Sequence, residues 1–409
     1  MKLLEALESC AKAATQDKEF ISATAGLSCR ILLEVQSSEG RAQVVAVGGE
    51  SASAIHLSAS PQVWQQIMLP LPPVGWHSFT AASRQTEMFS VRADAIELAQ
   101  GLHALERLFE ILRGQVSEEA VACEPLDLSG LTGRYATLGL GDSERLTVYH
   151  ESSGTVGMPC LLMLHTAGAD SRQYHALMAD ARMQQQWHMH SFDMPGHGRS
   201  PGLPQWLWQG YRLSKAAYLS VCDGVLRQVL PQPAVMLGCS MGAAMALHAA
   251  RELPERVLGA IALEAPFRSS GRRTVHLTHA QVNQAAHNPG YVRGLMSPSS
   301  PLRHRRNAAW VYSQGGFQIY SGDLAFYSDE FDAAVDVQGL DGSDRPIHLL
   351  TGSYDYSATP DDSRRVADLI PGAVFTEMAD MGHFPMIENP AAFLRHLAPV
   401  LESVRARLN

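Results

Sequence analysis

Gly238-Cys239-Ser240-Met241-Gly242 follows a short apolar run, 234–237, and precedes an alanine-rich stretch, 243–251. The pattern predicts a strand that turns abruptly into a helix, with a serine at the turn. Such a turn holds the serine at a strained backbone angle, and the flanking glycines let neighbouring segments approach. The hydroxyl then stands clear of the sheet, and the helix N-terminus points its amides at any negative charge that develops there. A Gly-x-Ser-x-Gly string alone is weak. Its strand-to-helix setting makes Ser240 a candidate nucleophile.

A serine attacks poorly until a base takes its proton. Gly382-His383-Phe384-Pro385 lies downstream, between the predicted strand Val374–Met378 and a last helix beginning near Pro390. Of 17 histidines, His383 is singled out by that position. The base in turn needs a carboxylate to fix its tautomer. The predicted strand 346–350 empties into Thr351-Gly352-Ser353-Tyr354-Asp355. Asp355 is therefore the expected acid and Asp361 its nearest competitor, with a turn or N-cap role the alternative for Asp355.

Outward from these residues the chain alternates strand and helix. Further apolar strands are predicted at Cys160–Leu164, 188–192 and Val257–Leu263. This alternation implies a mainly parallel sheet covered by helices on both faces, an α/β architecture. Residues 267–343 interrupt it with Pro, Gly, Arg and aromatic residues, and are expected to form an inserted cap over the sheet's C-terminal edge. The domain so defined runs from 127 to 409.

The order Ser240, Asp355, His383 on this alternating chain resembles the α/β-hydrolase superfamily, in its serine-nucleophile, capped branch. Leu164-His165-Thr166-Ala167-Gly168 is similar to that family's oxyanion loop, and Asp193-Met194-Pro195-Gly196-His197-Gly198-Arg199-Ser200 to its tight turn after the next strand. Thr166 stands where the family usually has glycine, and Ala243 where a second glycine is frequent. The resemblance implies a Ser240–His383–Asp355 triad, with the backbone amides of Ala167 and Met241 binding the oxyanion. Serine at the elbow separates the chain from the haloalkane-dehalogenase and epoxide-hydrolase branches, which use aspartate.

Residues 1–126 read differently. Runs 29–36, 41–47 and 54–59 are β-rich, with a turn-like Ser37-Ser38-Glu39-Gly40. Ser60-Pro61 opens a helix, and Asp94 opens another whose Leu98, Leu102, Leu105, Phe109 and Leu112 form one apolar face. This is a small α+β domain joined by a linker at 123–132. It weakly resembles sterol-carrier-like lipid-binding modules through its hairpin, the Ser60-Pro61-Gln62-Val63-Trp64 helix start and Phe89-Ser90-Val91-Arg92. The apolar face must be buried by its own sheet, by the hydrolase domain, or by a second subunit in a homodimer.

Bulk properties narrow the function. The 409 residues are 46% hydrophobic and 18% charged, a globular composition. A net charge of -9 argues against a nucleic-acid partner. No apolar run reaches bilayer-spanning length, so no membrane partner is expected. Glu5 and Glu8 interrupt any signal-peptide core, and six scattered cysteines without a CxxC pair fit the cytoplasm. His188-Met189-His190 puts two imidazoles on one strand face, but two ligands are too few for a metal site, and packing histidines are expected. Cys239 is expected to point back into the sheet.

The expected protein is thus a serine hydrolase acting through an acyl-enzyme on a small hydrophobic carboxylic ester or lactone, aromatic ones included, without metal or organic cofactor. Thr166, Arg172, Tyr174, Trp310, Tyr312 and Phe317 are the pocket candidates. The alternatives are hydrolysis of a carbon–carbon bond in a vinylogous diketone, and a non-catalytic receptor or carrier that retains the pocket.

Overall fold

The computed structural model of the chain describes residues 2–36, 43–47, 53–115, 125–141 and 144–408. The turn expected at 37–40, the first residues of the run 41–47 and the start of the linker lie outside the described residues. The chain divides into two compact units: Met1–Glu124 with Thr278–Ser299, and Pro125–Leu277 with Ser300–Asn409.

The first unit has a four-stranded sheet in the order β2-β1-β3-β4, built from β1 (Cys29–Val35), β2 (Gln43–Val47), β3 (Ser53–Ala59) and β4 (Phe89–Arg92). The β1/β3 pair is parallel, the other pairs antiparallel. Ser60 caps the helix Pro61–Ile67 by accepting from the Val63 amide. Asp94 caps the helix Ala95–Leu112 by accepting from Ile96 and Glu97. Leu102, Leu105, Phe109 and Leu112 of that helix share one core with Ile31, Leu33, Ile55 and Leu57. The apolar face is therefore buried within its own unit.

The same helix is joined by Gln284–Leu295, a segment from the stretch read in sequence as cap. Two glycines allow the close approach. A Cβ on Gly290 would lie 2.9 Å from the His103 backbone, and one on Gly294 would lie 1.9 Å from Thr80 Oγ1. Buried charges complete the contact: Arg293 donates to Glu110 at 2.5 Å and to Glu19 at 2.8 Å, and Arg107 donates to Asp17 at 2.7 Å and to Glu110 at 2.8 Å. Stripped of its partners, a buried ion is strongly destabilising, by roughly 3–5 kcal/mol. A protein beginning at residue 125 would leave the buried Arg293 without Glu19 and Glu110. It is expected to aggregate in light scattering and to melt well below the full chain. A monodisperse 125–409 protein with an unchanged melting temperature would contradict this packing.

The second unit is built on an eight-stranded sheet in the order β12-β11-β10-β9-β7-β8-β6-β5. Its strands are β5 (Thr132–Leu140), β6 (Glu144–Gly154), β7 (Cys160–Leu164), β8 (His188–Asp193), β9 (Ala234–Cys239), β10 (Val257–Leu263), β11 (Ile347–Gly352) and β12 (Val374–Met378). The strands from β7 to β12 run parallel, while β5 and β6 form an antiparallel hairpin paired antiparallel to β8. Strands β7, β9 and β11 are buried along their whole length, as helices on both faces require. The remaining cap stretch belongs to this unit as short helices, Leu302–Ser313, Ile319–Leu324, a π-helical turn Ala325–Glu330, and Ala333–Asp336. Ile319, Leu324, Phe326, Tyr327 and Phe331 join the core of the second unit.

Candidate active site

Strand β9 ends at Cys239 and the helix Met241–Glu252 starts two residues later, leaving Ser240 as the whole connection. Ser240 has φ 56°, a left-handed angle that a residue with a Cβ rarely adopts. Its amide donates to the Leu263 carbonyl at 2.8 Å, which ties the turn to the neighbouring strand β10. The flanking glycines are sterically required. A Cβ on Gly238 would lie 2.1 Å from the Gly242 carbonyl oxygen, and one on Gly242 would lie 2.4 Å from that of Leu164. Cys239 is buried, and its Sγ donates to the His383 carbonyl at 3.3 Å. Burial pushes that thiol well above the usual range. The residue before the serine thus packs inward, and it places the elbow beside the His383 loop.

His383 Nδ1 donates to Asp355 Oδ2 at 2.6 Å, with both side chains buried. The remaining ring nitrogen, Nε2, is then the acceptor. Asp355 Oδ1 accepts from the amides of Ser357 at 2.7 Å and Ala358 at 3.2 Å. Asp361, by contrast, is 85% exposed and pairs with Arg364. Glu388 steadies the histidine loop: it accepts from the Gly382 amide at 2.7 Å and from the Ser300 hydroxyl at 2.9 Å.

A further carboxyl, absent from the sequence reading, adjoins this pair. Glu264 is fully buried at φ 52°, just beyond the end of β10, and its oxygens accept from the Gly352 amide at 3.1 Å. Polar atoms of Glu264, Asp355 and His383 lie within 4.8 Å of one another, and a hydrogen bond joins the two carboxyls. Adjacent buried carboxyls cannot both ionise. Burial and then the charge of Asp355 push Glu264 well above the usual range. Burial also opposes the charge on Asp355, but His383, the bond from Glu264 and the Ser357 amide together hold its carboxyl below its ordinary value. Glu264 therefore keeps the proton and donates it in a hydrogen bond to the Asp355 carboxylate.

The loop after β7 has its amides differently engaged. Thr166 N–H donates to Gln173 Oε1 at 3.0 Å and Gly168 N–H to Asp323 Oδ2 at 2.7 Å. Among the described residues the Ala167 amide between them has no partner. Met241, at the first helical position after Ser240, likewise lacks an intrahelical acceptor. Asp323 holds the loop from behind: it also accepts from His197 Nε2 at 2.8 Å and from the Tyr211 hydroxyl at 2.9 Å. Burial disfavours charge on His197, but Asp323 and the Pro195 carbonyl at 3.1 Å outweigh it and raise its pKa. The neighbouring His165 is pushed the other way, by burial and by His197. Its Nδ1–H donates to the Thr166 carbonyl at 2.9 Å, and its Nε2 accepts from the Met194 amide at 3.1 Å.

The expected pocket residues separate into four groups. Thr166 and Tyr312 are buried and hydrogen-bonded to each other, and the Tyr312 ring lies 5.5 Å from Phe384, itself 4.8 Å from the His383 ring. Arg172 is held by Asp170 at 2.7 Å and by Gln314. Tyr174 is sealed in the core, where its hydroxyl donates to the Leu164 carbonyl at 2.7 Å, so it supports the loop from beneath. Trp310 and Phe317 stand 65% and 68% exposed. Tyr327, on the π-helical turn, is the aromatic residue whose buried hydroxyl faces Ser240 and Ser269, without a well-formed hydrogen bond to either. Arg272 lies 5.8 Å from its ring and donates to the Ser357 hydroxyl at 2.7 Å, linking this turn to the Asp355 loop.

The alpha/beta hydrolase fold family matches residues 159–390. The biotin biosynthesis bifunctional protein of Cellvibrio japonicus is 33% identical over 110 residues, 27% of this chain and 19% of that protein. The pimeloyl-acyl-carrier-protein methyl ester esterase of Chromobacterium violaceum is 26% identical over 259 residues, 60% of this chain and 95% of that protein. This chain thus spans a small part of the first relative's length, 19%, and nearly all of the second's, 95%. Among solved structures, the enol-lactonase of Burkholderia xenovorans superimposes with a TM-score of 0.56 at 17% identity, covering 66% of this chain and 100% of that one. Among the described residues, no helix is long and apolar enough to cross a membrane.

Proposed function

The chain belongs to the alpha/beta hydrolase fold family, and from that premise we propose that it is a serine hydrolase of hydrophobic carboxylic esters or lactones. The observation that carries this reading is the buried His383–Asp355 hydrogen bond beside the left-handed Ser240. Ser240 attacks the substrate carbonyl while His383 Nε2 takes its proton. The negative oxygen is received by the amides of Ala167 and Met241, a contribution of about 3–4 kcal/mol per donor in such sites. His383 then passes the proton to the leaving alcohol, and water, deprotonated by the same imidazole, cleaves the acyl-enzyme. Esters and lactones are favoured because the relatives and neighbours carry those names: a methyl ester esterase and an enol-lactonase.

The test is turnover of p-nitrophenyl esters and aryl-substituted lactones, run beside a vinylogous diketone. Ester or lactone hydrolysis is expected, rising as the acyl group becomes more apolar. Turnover of the diketone alone would replace this reading by carbon–carbon hydrolysis. Saturable binding of all three without turnover would make the protein a receptor.

Glu264 acts in this reading as a positioning residue. Glu264→Gln keeps a donor toward Asp355 and an acceptor for Gly352, so its kcat at neutral pH should stay near wild type. Glu264→Ala removes a hydrogen bond to a charged group, and kcat should fall roughly tenfold or more. The pH profile separates this from a merely structural role. Raising the pH through the elevated pKa of Glu264 ionises it beside Asp355, so the wild type loses activity on an alkaline limb that Glu264→Gln lacks. An alkaline limb shared by both proteins would contradict the assignment.

A further inference from the structure

We propose that Cys160, His188 and His190 form a binding site for a zinc-class divalent cation at the end of the sheet opposite Ser240. Cys160 and His188 open the parallel strands β7 and β8, whereas Ser240 follows the far end of β9. The two histidines alone are too few to hold an ion. Strand register supplies the third ligand, because Cys160 is the direct partner of His188 across the β7/β8 pair. Side chains in register on adjacent parallel strands point to the same face, and so do residues two apart on one strand. All three donors therefore share one face.

The spacing suits a tetrahedral ion. One ligand atom from each residue lies within 4.8 Å of the other two, and Cys160 Sγ is 3.8 Å from His190 Nε2. An ion with Zn–S of about 2.3 Å and Zn–N of about 2.0 Å holds sulfur and nitrogen roughly 3.6 Å apart. The observed pair needs to close by only a few tenths of an ångström. The imidazoles of His188 and His190 meet edge to face, with ring centroids 4.1 Å apart.

A second layer of groups favours the same use. His150 Nε2 lies 3.0 Å from His190 Nδ1. With His190 Nδ1–H donating to His150, the His190 Nε2 lone pair is left facing Cys160, the tautomer a metal needs. Among the described residues, the buried Nδ1 of His188 has no hydrogen-bond partner. A polar atom in that state is costly, and a coordinated cation would satisfy it.

Two imidazoles and a thiolate select a borderline ion such as zinc or cobalt over magnesium or calcium, which take oxygen ligands. Water fills the fourth position, reached past the half-buried His188. As the Cys160 sulfur–metal bond forms, the thiol proton leaves to solvent. The ion cross-links β7 to β8 at their starts, so its effect falls on stability and not on the chemistry at Ser240.

The experiment titrates the chelator-stripped full-length protein with Co2+, following absorbance. The site should take one equivalent, with a thiolate-to-cobalt charge-transfer band in the near ultraviolet and the visible bands of a tetrahedral ion. Zn2+ should bleach both and raise the melting temperature. Cys160→Ser should lose the charge-transfer band, and His190→Gln should weaken binding by about tenfold or more. No charge-transfer band in the wild type at stoichiometric cobalt would overturn the proposal, as would a band that persists in Cys160→Ser. If a variant fails to fold, the wild-type titration alone decides.

Discussion

Replacing Ser240 with alanine is expected to lower kcat for ester hydrolysis by about 10^6-fold, and His383→Ala by a similar factor. The reason is that neither group acts alone. Without the hydroxyl, the Nε2 acceptor of His383 has no nucleophile to deprotonate. Without the imidazole, the hydroxyl keeps its proton and attacks poorly. The double variant should consequently be little worse than either single one, because removing the second member of a broken unit removes almost nothing more. Both substitutions should leave the melting temperature close to wild type: each side chain is small or loop-borne, and the elbow geometry is set by Gly238, Gly242 and the Ser240 amide bond to Leu263. Steady-state hydrolysis of one activated ester by the three variants checks this. A Ser240→Ala protein within tenfold of wild type would sink the mechanism.

Asp355→Asn is expected to lower kcat by about 10^4-fold with KM little changed. Asparagine can turn its amide NH2 toward His383 Nδ1. The imidazole then accepts at Nδ1 and carries its proton on Nε2, where it cannot receive one from Ser240. The variant also takes a carboxylate away from Glu264, whose own proton then has a weaker acceptor. Asp361→Asn should be nearly silent, since that carboxylate is exposed and pairs with Arg364 one helical turn on. Comparing kcat for the two asparagine variants tests the assignment of the acid. Loss in Asp361→Asn with a mild Asp355→Asn would mean that Asp355 has been given a role it does not play.

What could be read from the chain beforehand was local. The elbow announces itself because a strand, two sterically required glycines and a helix start are contiguous at 234–251. Asp355 and His383 were legible because each sits where a predicted strand empties into a loop, and the structure brings those loops within a hydrogen bond. Glu264 was not legible. Its closeness to Asp355 depends on β10 lying beside β11, and the intervening cap stretch hides that adjacency. Cys160 and His188 are separated in the same way, by a crossover between β7 and β8. The hairpin of β5 and β6 carries little sequence signal because β5 is an edge strand, mostly exposed, with few apolar residues to mark it. The cap stretch was divided by a contact that no hydrophobic pattern betrays. Gln284–Leu295 buries His287, Asn288 and Arg293 along with Val292 and Leu295, so its inward face reads as polar until Glu110 and Glu19 are seen opposite Arg293. Trp310 and Phe317 looked like pocket residues by composition. The exposure of Trp310, set against the burial of Tyr312, follows from which side of the helix Leu302–Ser313 meets the core, whereas Phe317 stands on the turn between that helix and Ile319–Leu324.

Covalent labelling with a fluorophosphonate, read by intact mass and peptide mapping, tests whether Ser240 is an activated nucleophile. Phosphonylation needs an activated serine, a base and an oxyanion site together, and it is independent of the natural substrate. A single adduct is expected on the peptide bearing Gly238-Cys239-Ser240-Met241-Gly242, located at Ser240, absent from Ser240→Ala and strongly slowed in His383→Ala. An unlabelled wild type, or an adduct on any other residue, would contradict that role for Ser240.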